Sequence, residues 1–229
     1  MDRRVRMGVR IVLVGCGLCW PGLPQAAAAV FINEILADPP SGIGDANGDG
    51  LVSTTQDEFV ELVNTGPDSV SLAGWQLSDA LQVRHTFSSS TLIPAYDFFV
   101  VFGGGSPQGF ANVATASTGG LSLNNSGDTL TLRDAAAALI DTVTYGSEGG
   151  HDVSLTRSPD ATGAFVLHNS VSNAAFSPGR TVDGSTNLPR PEPSSQPATD
   201  DNQPTIPEPA SLLLWGMGLL GFPLIRRPH

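Results

Sequence analysis

The amino-acid sequence predicts an all-β fold, in the form of a β-sandwich. Apolar residues recur at short and even spacing, and glycine, proline, asparagine and aspartate punctuate them often. No window of about a dozen residues keeps the period of an amphipathic helix. Many short strands separated by regular turn signals are typical of two antiparallel sheets that pack face to face.

Each predicted strand is a short run of β-branched, aromatic and leucine residues between turn residues. In chain order the predicted strands are 30–37, 58–64, 69–73 with 75–79, 96–102, 121–124, 129–134 and 139–145. In the last two, apolar side chains alternate with polar ones, which is typical of strands with one buried and one solvated face. We therefore expect them to form a hairpin across residues 135–138.

Residues 1–29 have the pattern of an export signal. A basic segment that contains Arg3, Arg4, Arg6 and Arg10 precedes an apolar core at 11–18 and a run of small residues at 26–29. This order predicts a cleaved signal peptide. An alternative is that residues 13–16 form a lipoprotein box, in which Cys16 would be lipidated after cleavage. Because Cys16 and Cys19 are the chain's two cysteines, the mature protein would have no thiol.

Residues 45–57 have the oxygen spacing of a calcium loop but lead into a strand. Aspartate or asparagine occupies the first, third and fifth positions, and Gly50 stands at the sixth, as in an EF-hand loop. The twelfth position, where a bidentate acid is usual, is Gln56. The alternative to calcium is therefore a glycine-rich acidic turn without metal. The predicted ligands of a structural calcium ion are Asp45, Asn47, Asp49, Leu51 through its carbonyl, and Asp57.

Several strand sequences resemble those of the lamin tail domain family. The resemblance is carried by Ile32-Asn33-Glu34-Ile35, by residues 58–64, by Leu72-AGWQLSD, by Phe99-VVF, and by residues 125–134 with 141–146. It implies an immunoglobulin-like sandwich over residues 30–148, in which Asn33, Asn64 and Trp75 cap strand ends or fill the core. Members of this family in exported bacterial proteins are accessory or adhesion-like modules, so the resemblance implies such a role.

Residues 149–184 continue with further β-rich sequence, which predicts an extension that covers an open sheet edge. The candidate ionic and apolar contacts of this extension are made by Asp152, Arg157, Asp160, Phe165, Val166 and Phe176. Residues 185–206 are rich in proline, serine, threonine and aspartate and have no apolar period. This composition predicts a disordered linker.

Residues 207–229 resemble the PEP-CTERM sorting signal. Pro207-Glu208-Pro209 is followed by an apolar run at 210–225 and by Arg226-Arg227. The apolar run predicts a transmembrane helix whose arginines stay in the cytoplasm. The resemblance implies the envelope of a Gram-negative bacterium and an exosortase that cleaves near Pro207. The protein would pass from an inner-membrane-anchored intermediate to the cell surface or extracellular matrix.

The charge balance of the chain restricts its partners. There is no lysine, and once the leader and the terminal arginine pair are set aside, five arginines remain against 21 acidic residues, a formal charge of about −16. Such a surface repels polyanions, which excludes nucleic acid as a partner, and attracts divalent cations. Solubility of an exported protein explains the same charge without any partner.

The sequence contains no recognisable catalytic constellation. Its histidines, His85, His151, His168 and His229, are scattered and fit no zinc-binding pattern. We therefore predict no catalytic residue, and an exported β-sandwich module that is adhesive or structural, with an exopolysaccharide or surface glycan as candidate partner. The alternative is an envelope hydrolase whose active site is built from loops and contains His151 or His168.

Overall fold

The computed structural model describes residues 30–191. The predicted signal peptide, the linker beyond residue 191 and the predicted sorting signal lie outside these residues. Between residues 30 and 191, no helix is long and apolar enough to cross a membrane.

The described residues are almost entirely strands and turns, which confirms the predicted all-β class. The strands are β1 (Val30–Leu36), β2 (Phe59–Asn64), β3 (Val70–Ser71), β4 (Gln76–Ser78), β5 (Val83–Thr86), β6 (Leu92–Ile93), β7 (Phe98–Phe102), β8 (Val113–Thr115), β9 (Asp128–Arg133), β10 (Leu139–Tyr145), β11 (Leu155–Ser158) and β12 (Ala164–Leu167). Two short 3-10 turns, Ser147–Gly150 and His168–Ser170, complete the regular structure of this region.

Two larger sheets contain most of the strands. One has six strands in the order β12-β11-β1-β2-β7-β8, the other has four in the order β10-β9-β4-β5, and β3 pairs with β6. Neighbouring strands run antiparallel except for β7 and β8, which are parallel. In the six-stranded sheet, β11 and β12 from the C-terminal part of the chain therefore lie at one edge and β8 lies at the other.

The main core lies between the six-stranded and four-stranded sheets. Inward-facing residues of the central strands form this core. The six-stranded sheet contributes Ile32, Ile35, Val60, Leu62 and Val101, and the four-stranded sheet contributes Leu77, Leu130, Leu132 and Val143. Trp75 is half-buried against this core, a structural position that the family resemblance implied. Side chains that alternate along a strand point to opposite faces, so the remaining residues of β1, β2 and β7 form an outer face.

The predicted hairpin of β9 and β10 is confirmed. The two strands pair antiparallel from Asp128 with Tyr145 to Arg133 with Leu139, with one register shift between Leu139 and Asp141. In the connecting turn, Asp134 Oδ1 accepts hydrogen bonds from the N–H groups of Ala136 and Ala138 at 2.9 and 2.8 Å. The aspartate thus sets the turn and the register locally.

The predicted strand at 121–124 is wrong. Ser122 has a φ of 54°, in the left-handed region, so the backbone turns there and pairs with no strand. Leu121 and Leu123 are nevertheless buried at 1% and 5% exposure, because the loop places both against the core. The apolar alternation in this segment indicated burial rather than a strand.

Five short strands were not predicted from the sequence, namely β5, β6, β8, β11 and β12. Each has only two to four residues, too few to show a clear period of two. The prediction that the extension covers an open edge is confirmed, because β11 pairs with β1 through Glu34 with Thr156 and Ile35 with Leu155. The expected ion pair within the extension is not formed, since Arg157 lies 3.5 Å from Asp141 of β10 instead.

The extension also covers the outer face of the six-stranded sheet. One end of that face carries an apolar cluster of Leu36, Phe59, Val100 and Phe102, against which Phe176 of the extension packs. The other end carries Val63 and Phe98, which pack with Ala161 and Leu188. Between these clusters lie three buried polar residues, Asn33, Glu34 and Glu61.

A β-bulge places two consecutive polar side chains on this outer face. The register of β1 against β2 shifts between Ile32 and Glu34, so that Asn33 is the additional residue. In a bulge of this kind, two residues of one strand oppose one residue of the partner. Asn33 and Glu34 therefore both lie on the side of Glu61, opposite the main core.

Asn64 and Leu188 each hold a neighbouring loop against the sandwich. Asn64 ends β2 and donates to the carbonyls of Asp68 and Pro94 at 2.8 and 2.9 Å, the structural role that the resemblance implied. Leu188 lies within the predicted linker, but its N–H donates to the carbonyl of Tyr96 at 2.9 Å. Contacts of the domain therefore continue past residue 184, because the apolar side chain of Leu188 packs on the outer face.

Candidate functional site

The predicted calcium loop is a tight, internally hydrogen-bonded turn. Asp45 accepts hydrogen bonds from the N–H groups of Asp49 and Gly50, at 3.1 and 2.9 Å. Asn47 Oδ1 accepts from the N–H of Asp49 at 2.9 Å, and Asp49 Oδ1 accepts from that of Leu51 at 3.0 Å. The side-chain oxygens of Asp45, Asn47 and Asp49 thus all accept hydrogen bonds from backbone N–H groups of the same turn.

Asp57 joins two parts of the loop through its carboxyl group. It is fully buried, and its two oxygens accept from the N–H groups of Asn47 and Ser53 at 3.0 and 2.7 Å. Burial is the main cause that raises the pKa of Asp57, and the charge of Asp45 adds to it. The charge of Asp45 therefore acts on Asp57, the buried carboxyl group of the same loop.

The loop is also attached to the segment after β7. Asp49 Oδ2 accepts from the N–H of Ser106 at 3.0 Å, and the carbonyl of Asn47 accepts from the N–H of Gln108 at 2.8 Å. Gly105 has a φ of 77°, and a Cβ there would collide with the side chains of Asn47 and Asp49. The glycine permits this close approach of the two loops.

The chemistry of the donor set fits calcium in part. Carboxylate, amide and carbonyl oxygens are the ligands that calcium prefers. Within residues 30–191, however, no three His, Cys, Asp or Glu side chains converge closely enough to hold a metal ion. The amide of Asn47 and the carbonyl of Leu51 would have to complete a site built on Asp45, Asp49 and Asp57, while Gln56 is exposed.

A second polar cluster, not predicted from the sequence, lies on the outer face under the extension. Glu34 is fully buried, and its Oε1 accepts from Ser154 Oγ at 2.6 Å and from the N–H of Ser177 at 2.9 Å. Ser177 Oγ also donates to Glu34 Oε2 at 2.7 Å and lies 2.9 Å from His168 Nε2. His168 is itself fully buried, and its Nδ1 lies 3.0 Å from the carbonyl of Ala174.

These bonds join the cluster into one network. A carbonyl oxygen only accepts, so His168 Nδ1 donates to the carbonyl of Ala174. The Ser177 hydroxyl lies between Glu34 Oε2 and His168 Nε2 and bonds to both. Burial raises the pKa of Glu34, and the nearby His168 opposes this shift. The polar atoms of Glu34, Ser177 and His168 are thus hydrogen-bonded, which offsets the cost of burying them.

Glu61 lies beside Glu34 on the neighbouring strand. Its oxygens accept from Asn33 Nδ2 at 2.9 Å and from the N–H of Gly179 at 2.6 Å. Asn33 in turn accepts from the N–H of Ala161 at 2.6 Å. Burial, followed by the charge of Glu34, raises the pKa of Glu61 well above its usual range. Every member of this cluster is therefore bonded to a residue of the extension or to its neighbour in the cluster.

A signal for this cluster is present in the sequence. Glu34 and Glu61 each interrupt an apolar strand, in Asn33-Glu34-Ile35 and Val60-Glu61-Leu62. An acidic residue in the middle of a buried strand is rare unless it is paired. The bonding partners, however, lie far along the chain: Ser154 is 120 residues after Glu34, and Gly179 is 118 residues after Glu61.

A third group of titratable residues lies at one end of the sandwich. Glu58 is 5% exposed, accepts from the N–H of Leu123 at 3.3 Å, and burial raises its pKa to about 7. Asp79 accepts from Arg84 Nε at 2.7 Å. Burial by itself would raise the pKa of Asp79, but hydrogen bonds from Arg84 and from the backbone outweigh it, so the pKa of Asp79 is lowered. These two carboxyl groups are therefore shifted in opposite directions within reach of the same arginine.

We expect the domain to be more stable near pH 5 than near pH 8. A carboxyl whose pKa is higher in the folded than in the unfolded chain contributes stability that is fully present below the unfolded value, 4.5 for glutamate, and is lost as the pH rises through the folded value. For Glu58 this loss reaches about 3 kcal/mol. Urea unfolding at both pH values measures it. Glu58→Gln should reduce the difference, and equal stability of the natural protein at both pH values would contradict the prediction.

Two clefts lie on either side of residues 111–112. One, the aromatic cleft, has a volume of about 510 Å³ and is lined by segments 109–112 and 176–180 and by Asp97, Thr186 and Asn187. The other, the hydroxyl cleft, has a volume of about 570 Å³ and is lined by serine and threonine residues of segments 86–91 and 117 and by His85. Both volumes are typical of small-ligand sites.

The candidate histidines are placed apart from one another. His85 is 5% exposed, its ring lies 4.5 Å from that of Phe87, and burial lowers its pKa. Within residues 30–191, His85 Nδ1 has no hydrogen-bond partner. His151 is exposed in a turn, and His168 is part of the buried cluster. His229 lies outside the described residues.

Two packed β-sheets with a shared core and mostly antiparallel strands define an immunoglobulin-like β-sandwich. The family model of the Lamin Tail Domain matches residues 24–147, more than half of the chain, and the chain belongs to the lamin tail domain family. No curated protein matches the chain significantly. The family match ends before β11, so the extension that covers the outer face lies beyond it.

Proposed function

We propose that this chain is an exported, non-catalytic module of the cell surface or extracellular matrix of a Gram-negative bacterium, adhesive or structural in role. The observation that carries the proposal is the position of the reactive side chains. Glu34, Glu61 and His168 are fully buried and bonded to neighbouring residues, so they are inaccessible to a substrate. The exposed clefts are instead lined by aromatic, amide and hydroxyl groups, which suit binding.

Export and sorting are supported by the two ends of the sequence. In the native host we expect the mature chain to begin near Val30 and to end near Pro207, and deletion of the exosortase should leave the tail in the membrane. Intact-mass measurement of the surface-released protein tests this. Retention of residues 210–229 on the released protein would refute the sorting proposal.

The chain offers a matched control for this experiment. Pro-Glu-Pro occurs twice, at 191–193 and at 207–209, but an apolar span follows only the second. Replacing Pro207-Glu208-Pro209 by three alanines should block release. The same replacement at 191–193 should leave release unchanged. Equal effects of the two replacements would show that the apolar span does not select the site.

We also propose that the loop of Asp45, Asn47, Asp49, Leu51 and Asp57 binds a structural calcium ion. The support is the set of oxygens in one turn and the repulsion between the charge of Asp45 and the buried Asp57, which a cation would relieve. With calcium at ten times its dissociation constant, the free energy of unfolding should increase by about 1.4 kcal/mol. Over a domain of this size that is a rise of about 3–6 °C in melting temperature.

Melting of the chain in millimolar calcium and in chelator measures this effect. Asp45→Asn with Asp49→Asn keeps the acceptors of the turn but removes two charges, and should abolish the rise. Asp134→Asn with Asp152→Asn removes two charges elsewhere and should preserve it. The same melting temperature in calcium and in chelator would show that the loop is an acidic turn without metal.

One observation favours the alternative of an envelope hydrolase. Glu58 and Asp79 have pKa values shifted in opposite directions, as the two carboxyl groups of a general acid and a general base do. Hydrolysis of a matrix polysaccharide that is lost in Glu58→Gln would support this alternative. Both residues are more than nine-tenths buried, which favours the binding module.

A further inference from the structure

We infer that the aromatic cleft binds a neutral sugar unit of a surface or matrix polysaccharide. The inference rests on the proposed surface location and goes beyond it, because it assigns a ligand class and a site. The cleft lies on the outer face of the six-stranded sheet, between the segment that precedes β8 and residues 176–187, which begin in the extension and end just after it. Without the extension this cleft would have one wall.

The floor of the cleft is aromatic and held in place. The ring of Phe110 lies 5.0 Å from that of Phe102 in β7, and the ring of Phe176 lies 6.5 Å from that of Phe59 in β2. Phe110 and Phe176 are half-buried, so part of each ring remains accessible. A rigid, partly exposed aromatic surface suits the C–H face of a sugar ring, because little conformational entropy is lost on binding.

The rim of the cleft has oriented hydrogen-bonding groups. Asn112 Nδ2 donates to Asp97 Oδ2 at 3.0 Å and to the carbonyl of Phe98 at 2.9 Å, which uses both of its hydrogens. These two bonds orient the amide and leave its Oδ1 as an acceptor without a partner in the described part of the chain. Arg180 Nη1 donates to the carbonyl of Gly184 at 3.2 Å, and its other N–H groups are donors.

Donors and acceptors side by side are what a ring of hydroxyl groups requires, since each hydroxyl both donates and accepts. Among residues 30–191, Arg180 has no carboxylate within 4.0 Å, so it is free to donate to a ligand. Asn187 and Thr186 add exposed polar groups at the same rim.

The charge of the domain favours a neutral sugar over an acidic one. Residues 30–191 contain five arginines and 17 acidic residues, a formal charge of 5 − 17 = −12. A polysaccharide with a carboxylate on every unit would be repelled by this surface at low ionic strength. Asp97 also lies at the rim and would oppose a carboxylate there directly.

The experiment uses the chain expressed with both of its ends and purified after export, together with an array of neutral and uronate-containing oligosaccharides. Calorimetric titration of the best neutral oligosaccharide then compares four proteins. Arg180→Ala removes a rim donor, and Thr186→Trp fills the cleft from an exposed position; each should weaken binding about tenfold or more. Arg133→Ala is the matched control, because Arg133 is also exposed and also donates to one backbone carbonyl, that of Ala137.

Binding of a neutral oligosaccharide that Arg180→Ala and Thr186→Trp weaken, and that Arg133→Ala leaves within about twofold, supports the inference. Melting temperatures equal to that of the natural protein show that the variants are folded. Three results would overturn the inference: no neutral oligosaccharide binds, only uronates bind, or both cleft variants bind as the natural protein does. None of these alters the proposed surface location, which the intact-mass experiment tests separately.

Discussion

Removal of residues 148–191 is expected to prevent the lamin tail domain from folding. The truncated chain would retain the residues of the family match but would lose β11 and β12 and the cover of the outer face. The two apolar clusters of that face include Phe59, Phe98 and Phe102, all of which would become exposed. The loss should equal most of the 5–15 kcal/mol by which a typical domain is stable.

Circular dichroism and urea unfolding of two truncated proteins measure this effect. Residues 30–147 should show no cooperative unfolding transition, whereas residues 30–191 should unfold in one sharp transition. The second protein is the control, because it also lacks residues 192–229 but keeps the extension. A cooperative transition of residues 30–147 at nearly the same urea concentration would show that the extension is dispensable.

His168→Ala should destabilise the domain by about 3–5 kcal/mol, because it removes a fully buried side chain from the hydrogen-bond network of Glu34 and Ser177. The carbonyl of Ala174 and the hydroxyl of Ser177 would each lose a hydrogen bond as well. For a domain of this size the melting temperature should decrease by about 6–20 °C.

His151→Ala is the matched control, since it makes the same substitution at an exposed turn. Its effect should stay within about 0.5 kcal/mol. The pair His168 and Glu34 also allows a double-mutant cycle with Glu34→Gln, in which a coupling free energy of about 1 kcal/mol or more is expected for residues of one network. Independent effects of the two substitutions would contradict the coupling of Glu34 and His168 through Ser177.

Predictions from the sequence succeeded where the information is local. The hairpin of β9 and β10 depends on alternation within each strand and on Asp134 in the turn between them. The bonds of Asp45 in the acidic loop likewise join residues four and five apart in the chain. The bonds from Ser106 to Asp49 and from Gln108 to Asn47, in contrast, depend on the tertiary structure. The strand predicted at 121–124 failed because burial of Leu121 and Leu123 produces the same alternation in a loop.

The chain sequence by itself determined the all-β class, the family resemblance and the presence of an edge-covering extension. Only the tertiary structure decided that Glu34, Glu61 and His168 are buried together and that the extension supplies one wall of the aromatic cleft. The physical reason is that strand periodicity and turn chemistry are set by neighbours in the chain. The environment of a side chain is set by whatever the fold brings against it, and here the bond of Ser154 to Glu34 joins residues 120 positions apart.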